Sequence, residues 1–186
     1  MLKMKDRDIR NLTLNALYQK HENESNTKII NEMGLINGES RIDIAVVNGI
    51  LHGYELKSES DNLLRLPKQI ENYNRIFERM TIVTDRKYLE SVKMLVPDWW
   101  GIMVVRKDKS GLREIKKGRK IKTQDEEALL NLLWKDEYSG LIDILGYPKS
   151  LKRMRKNQIF EIILEDNRKS IIKKYIYDTL RARSYN

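Results

Sequence analysis

Residues 41–57 read Arg41-Ile42-Asp43-Ile44-Ala45-Val46-Val47-Asn48-Gly49-Ile50-Leu51-His52-Gly53-Tyr54-Glu55-Leu56-Lys57, and the reading of this stretch decides the fold. Two apolar runs flank Asn48-Gly49, a pair that readily takes the positive φ angles of a tight hairpin turn. The stretch is therefore read as antiparallel strands over 41–47 and 50–57. Side chains alternate faces along a strand. Ile42, Ile44 and Val46 are expected on one face and Asp43 and Ala45 on the other, while Gly53, Glu55 and Lys57 share a face. A two-residue turn pairs Val47 with Ile50, and hence Asp43 with Tyr54. Setting Asp43 across from Glu55 needs one extra residue, in a longer loop or in a bulge, for which Gly53 is the natural place. Strands this apolar are expected to be buried on both faces, where an isolated carboxylate is costly. Two carboxylates and a lysine on one face suit a hard divalent cation and an activated water. Charges on a strand also occur simply as a solvated face.

Working outward, Ile9, Leu12, Ala16 and Leu17 recur at helical spacing over 6–20, with Asp6 or Asp8 as the cap. A polar break at 21–27 precedes a short strand over 28–35 and a turn at Asn37-Gly38. Residues 61–79 are expected to be mostly helical, with Asp61 as a cap and Pro67 in the first turn. A strand follows at 81–84, a helix over 85–95 closed by Pro97, and a strand leading from Trp99-Trp100 to Val105, the two tryptophans entering as a core plug. This alternation of helices and strands implies an α/β fold with a mixed central sheet. Residues 106–122 are basic and turn-rich around Lys109-Ser110-Gly111. From Thr123 on, the pattern is helical, opened by a capping box at Thr123-Gln124-Asp125-Glu126 and punctuated at Gly140, Gly146-Tyr147-Pro148 and Asp166-Asn167. The division expected is a core over 1–118 and a basic helical C-terminal region over 119–186.

The 186-residue chain has a formal net charge of +9 and is 40% hydrophobic, values that fit a globular protein with a polyanionic partner. DNA is the expected partner, with RNA not excluded. The absence of cysteine excludes disulfides and thiolate metal sites and fits a reducing cytoplasm. No apolar run approaches the length that spans a bilayer, so no membrane partner is expected; a homodimer is compatible with the sequence. Arg41 and Arg65 near the hairpin, Lys116, Lys117, Arg119 and Lys120 in the basic stretch, and Lys152 and Arg153 further on are the candidate phosphate contacts. The run from Leu141 through Lys156 loosely resembles a helix–loop–helix DNA-binding module of the SAP type.

Gln69 and Tyr73 lie four apart, on one helix face that also holds Leu66, Ile70 and Phe77. The Asp43…Glu55-x-Lys57 hairpin followed by Gln69-x-x-x-Tyr73 resembles the PD-(D/E)XK nuclease superfamily, in the branch with a RecB-like Gln-x-x-x-Tyr helix. It is similar to small bacterial and prophage members with an Arg-Ile-Asp-Ile-Ala…Tyr-Glu-Leu-Lys-Ser core. The resemblance covers roughly residues 5–105 and implies a restriction-endonuclease-like core of helix, three strands, helix and strand. Ile42 stands where the family motif has proline. The resemblance implies that Asp43 and Glu55 bind Mg²⁺ or Mn²⁺, helped by Glu32, with Glu39 as the runner-up. Lys57 would assist the attacking water, beside Gln69 and Tyr73. The implied activity is metal-dependent hydrolysis of DNA phosphodiester bonds. The alternative is a non-catalytic nucleic-acid-binding or regulatory protein on the same fold, and a third reading makes the charges the surface of an assembly protein.

Overall fold

Helix α1 (Asp6–Lys20) buries Ile9, Thr13 and Leu17, a spacing of four that lays one side against a sheet. Its N-cap is Lys5 rather than Asp6 or Asp8; the Asp8 carboxylate closes the first turn by accepting the Lys5 N–H at 3.0 Å. The computed structural model describes residues 3–185. Its six-stranded sheet runs in the order β1 (Lys28–Leu35), β2 (Ser40–Val47), β3 (Leu51–Lys57), β4 (Arg79–Thr84), β5 (Gly101–Val105), β6 (Leu112–Lys116). The β1–β2, β2–β3 and β5–β6 pairs are antiparallel; β3–β4 and β4–β5 are parallel. The fold is therefore α/β with a mixed sheet, and the order helix, three strands, helix, strand is present as expected.

The hairpin supplies its extra residue in the loop. Val47 pairs with Leu51 and not with Ile50, so the connection is Asn48-Gly49-Ile50, with Gly49 at φ +88°. Gly53 is not a bulge: it pairs regularly with Ala45. A Cβ there would collide with Met80 Sδ and stand 3.1 Å from the Phe77 ring, so the glycine permits close packing instead. The register continues to Ile44 opposite Tyr54, which brings Asp43 into line with Glu55.

The expected alternation along β2 does not hold to its start. Ile44 and Val46 pack beneath α1, but Ile42 joins the opposite core with Ala45 and Val47. Glu32, between the ladder pairs Asn31–Ile44 and Met33–Ile42, has φ +52°. That left-handed residue shifts the burial alternation of β1, so that Ile30, Met33 and Leu35 all point to one side, and β2 follows.

The smaller core lies between α1 and the sheet, where Ile9 and Leu17 meet Ile44, Val46, Tyr54, Leu56, Val83 and Val105. The larger core covers the other face. The crossover helices α2 (Leu66–Ile76) and α3 (Leu89–Leu95) both contribute to it, as right-handed crossovers stepping in one direction must. So do the C-terminal helices α4 (Glu126–Leu130), α5 (Lys135–Ile144), α6 (Lys156–Leu164) and α7 (Lys169–Ala182). Trp100 is fully buried there, its Nε1–H donating to Asn74 Oδ1 at 2.9 Å, which fits its reading as a core plug.

Several local expectations are corrected. The turn-rich stretch 106–122 contains the edge strand β6, hidden in the sequence because its burial is only partial. Helix α2 is shorter than 61–79, since 79 onward belongs to β4 and Asp61 closes a turn by accepting the Ser58 N–H at 2.7 Å. The segment 85–95 opens with a 3-10 turn before α3. Asp125, not Thr123, caps α4 by accepting the Ala128 N–H at 3.0 Å. Gly140 lies inside α5, where a Cβ would come within 2.5 Å of Tyr175 Oη.

Glu78 joins the two parts of the larger core. Its carboxylate, only 3% exposed, accepts the Leu51 N–H at 3.1 Å and the Tyr177 hydroxyl of α7 at 2.8 Å. Lys173 stands at 3.0 Å and Lys120 at 3.4 Å. Burial opposes ionisation here, but Tyr177, Lys173 and Leu51 together hold its pKa below the ordinary value. Glu78→Ala leaves the Leu51 N–H without its acceptor and removes the shared anion of Lys173, Lys120 and Tyr177, the tyrosine keeping only Gln124. Urea denaturation should show a loss of about 3 kcal/mol; a loss under ~0.5 kcal/mol contradicts this role.

Candidate functional site

A cleft opens where β2 parts from β3, between α1 and the start of α2. The ladder between the two strands ends at Ile44–Tyr54, and the Asp43 carboxylate takes over beyond it: Oδ2 accepts the Leu56 N–H at 2.9 Å. Its other oxygen meets Arg10 of α1, with Nη2 to Oδ1 at 2.8 Å and Nη1 to the Asp43 carbonyl at 3.0 Å. Asp6 lies 3.3 Å from Arg10, Glu32 lies 3.7 Å from it, and Arg41 is 3.2 Å from Glu32. The charges alternate in sign across this wall of the cleft. The arginine keeps its charge: desolvation works against it, and Asp43 and Asp6 outweigh that cost.

Deeper in, Glu55 and Lys57 are almost wholly buried, at 1% and 4% exposure. Lys57 Nζ donates to Glu55 Oε1 at 2.6 Å and to Gln69 Oε1 at 3.0 Å. The Gln69 amide donates to the same Glu55 oxygen at 2.8 Å. The Tyr73 hydroxyl stands 2.9 Å from Glu55 Oε2 and 2.8 Å from the Arg41 carbonyl, so its one proton is shared between them. Desolvation, followed by the neighbouring Asp43 charge, pushes Glu55 up to about 7 against the offsetting Lys57 and Tyr73. The Tyr73 phenol is held protonated by its own burial and by Glu55.

Glu55, Lys57, Gln69 and Tyr73 form one hydrogen-bonded network, and Asp43 stands beside it in the same cleft, bonded to the Leu56 N–H and to Arg10. Glu32, Glu39, Arg41 and Arg65 line the same cleft. The basic residues of 116–120 do not. Lys116 ends β6, three strands away from β3, and the Lys120 ammonium turns to Glu78. Lys152 and Arg153 lie in a 3-10 turn rather than a basic helix, with Lys152 paired to Asp143 at 2.5 Å. The sequence reading missed Arg10. Its only signal was an i,i+4 pairing with Asp6 on the polar side of α1.

This donor set does not fit a divalent cation. A hard cation takes six or more oxygens, chiefly carboxylates, carbonyls and water. Here the Asp43 oxygens are held by Arg10 and a backbone N–H, and the Glu55 oxygens by Lys57, Gln69 and Tyr73. Among the described residues no three His, Cys, Asp or Glu side chains are grouped so that they could hold a metal ion, so Glu32, Asp43 and Glu55 do not form the expected ligand set.

Comparison with known proteins gives a family and a relative. The family described as bacteriophage P4 protein cII matches residues 2–186. Protein cII of enterobacteria phage P4 is 28% identical over 182 residues, covering 97% of this chain and 68% of the phage protein. Among solved structures, a protein of unknown function from Silicibacter pomeroyi aligns over 68% of this chain and 82% of its own, at 12% identity and a TM-score of 0.41, too loose a likeness to carry an argument. The matched family is that of a phage protein cII and not of a nuclease. This overturns the expectation of a Mg²⁺- or Mn²⁺-dependent deoxyribonuclease, together with its hydrolase, endonuclease and metal-binding attributes; the phage connection stands. Among the described residues no helix is long and apolar enough to cross a membrane.

The raised pKa of Glu55 has a definite sign in stability. A carboxyl that is about 7 when folded and 4.5 ordinarily adds stability in full below pH 4.5 and loses it as pH rises through 7. Urea denaturation of the wild type and Glu55→Gln at pH 5 and pH 8 isolates this group. The wild type should lose more stability than the variant over that interval, by an amount on the order of 3 kcal/mol. Equal losses contradict the assignment.

Proposed function

The chain belongs to the bacteriophage P4 protein cII family, and from that premise we propose that it is a non-catalytic regulatory protein that binds nucleic acid, DNA in the first place, on a scaffold of the PD-(D/E)XK kind. The observation that carries this reading is the Arg10–Asp43 pair at 2.8 Å. A cation of the chain itself sits on the carboxylate that a metal would need, and the neighbouring carboxylate is locked to Lys57. Groups that could do chemistry serve instead to hold α1, β2, β3 and α2 together at the point where the sheet divides.

The charge distribution supports a nucleic-acid surface elsewhere on the molecule. Of the chain's net +9, residues 106–122 contribute +7, with nine cations against Asp108 and Glu114. This segment includes the edge strand β6, and Arg113, Lys117, Arg119 and Lys120 are exposed on or just beyond it. The cleft, by contrast, mixes acids and bases almost evenly and offers a polyanion little net attraction. Lysines and arginines on an edge strand also discourage edge-to-edge pairing, a role compatible with contact to phosphates.

Anisotropy of a fluorescent duplex DNA, titrated at several salt concentrations, tests the proposal. The wild type should bind with an affinity that falls steeply with salt and should leave the DNA intact in Mg²⁺. The triple variant Arg113→Glu, Lys116→Glu, Arg119→Glu should bind at least 100-fold more weakly with a shallower salt slope, whereas Arg65→Glu in the cleft should change little. Wild-type binding by the triple variant contradicts the proposed surface, and absence of binding by the wild type contradicts the function.

A further inference from the structure

On the face of the sheet opposite the larger core, a second cavity of about 280 Å³ lies between α1 and strands β3 to β6. We infer that this cavity is a binding site for a small organic phosphate, an alkyl or aryl monoester, recognised by Arg79. The proposal is independent of how nucleic acid is bound.

Arg79 begins β4 beside His52 and lines the cavity. Its Nε is buried and has no hydrogen-bond partner among the described residues. A guanidinium presents its Nε and one Nη as a fixed fork that matches two oxygens of a phosphate or carboxylate. Buried polar groups in folded proteins are paired as a rule, and Arg79 Nε, closed off at the cavity wall, reaches an acceptor in the cavity once the side chain shifts towards it. The protein does not supply one. His52 already has both ring nitrogens engaged, Nε2 with Thr81 Oγ1 at 2.9 Å and Nδ1 with the Tyr54 hydroxyl at 3.2 Å. Burial, and next the charge of Arg79, keep that histidine neutral.

Charge and shape define the ligand. Lys20 and Lys117 join Arg79 in lining the cavity, against the single carboxylate of Glu114. Three cations facing one anion leave an excess that a dianionic phosphate balances and a neutral ligand does not. Ala16 and Leu17 of α1, with Met103 and Leu112 across from them, give the cavity apolar walls suited to a hydrocarbon or aromatic body.

Phenyl phosphate is the probe, titrated calorimetrically into the full chain beside inorganic phosphate and phenol. Phenyl phosphate should bind at least tenfold more tightly than either part alone. Arg79→Gln should weaken it at least tenfold, and Lys20→Gln, an exposed position, by a few-fold. Should Arg79→Gln fail to fold, as judged by circular dichroism, Lys20→Gln decides by itself. The same titration on Arg65→Glu, which lies in the cleft and not at this cavity, should be unchanged. Absence of phenyl phosphate binding, or wild-type binding by the folded variants, overturns the proposal.

Discussion

The structure turns on buried charge at the place where β2 and β3 separate. A carboxylate or an ammonium removed from water is tolerated only when it is paired and its remaining hydrogen-bonding capacity is filled. Glu55 and Lys57 are both out of water, on alternate positions of one strand. Gln69 and Tyr73 therefore come from α2 to complete the set, while Arg10 of α1 pairs with Asp43 beside it. Asp43 adds a second constraint by replacing a strand carbonyl as the acceptor of the Leu56 N–H. The cluster fixes how two helices from opposite faces of the sheet meet at its end.

The same logic recurs at Glu78, at the other end of the β3–β4 crossover. There one buried carboxylate collects a backbone N–H from β3, a tyrosine and a lysine from α7, and Lys120 from the segment after β6. The hydrophobic cluster around it is continuous from the sheet through α7. Polar hubs of this kind contribute specificity of arrangement more than raw stability, which the apolar burial supplies. Both hubs use up acidic side chains inside the fold. The cations concentrated in 106–122 are left largely to solvent, and this is the property on which a role in binding nucleic acid rests.

Much of this was legible in the sequence. The β-branched runs around Asn48-Gly49 gave the hairpin, and the requirement for one extra residue between Asp43 and Glu55 was met by Ile50 joining the loop. The spacing of Gln69 and Tyr73 placed both on the face that reaches Glu55. Three things were not legible. Strand β6 is a half-exposed edge whose alternation is swamped by lysine and arginine. The reversal of faces at Ile42 comes from a left-handed Glu32, a residue type that does not announce positive φ. The decisive omission was Arg10. Motif spacing records which acids are present but not which distant cation lies upon them, and that cation separates a metal site from an internal ion pair.

The central claim is that the protein's own cations occupy the positions a metal would take, and titration of Mn²⁺ into the folded protein at neutral pH, followed by calorimetry or by the electron paramagnetic resonance of the free ion, tests it most directly. The account predicts no saturable binding at millimolar Mn²⁺. A saturable site of micromolar affinity that disappears in Asp43→Asn would contradict it.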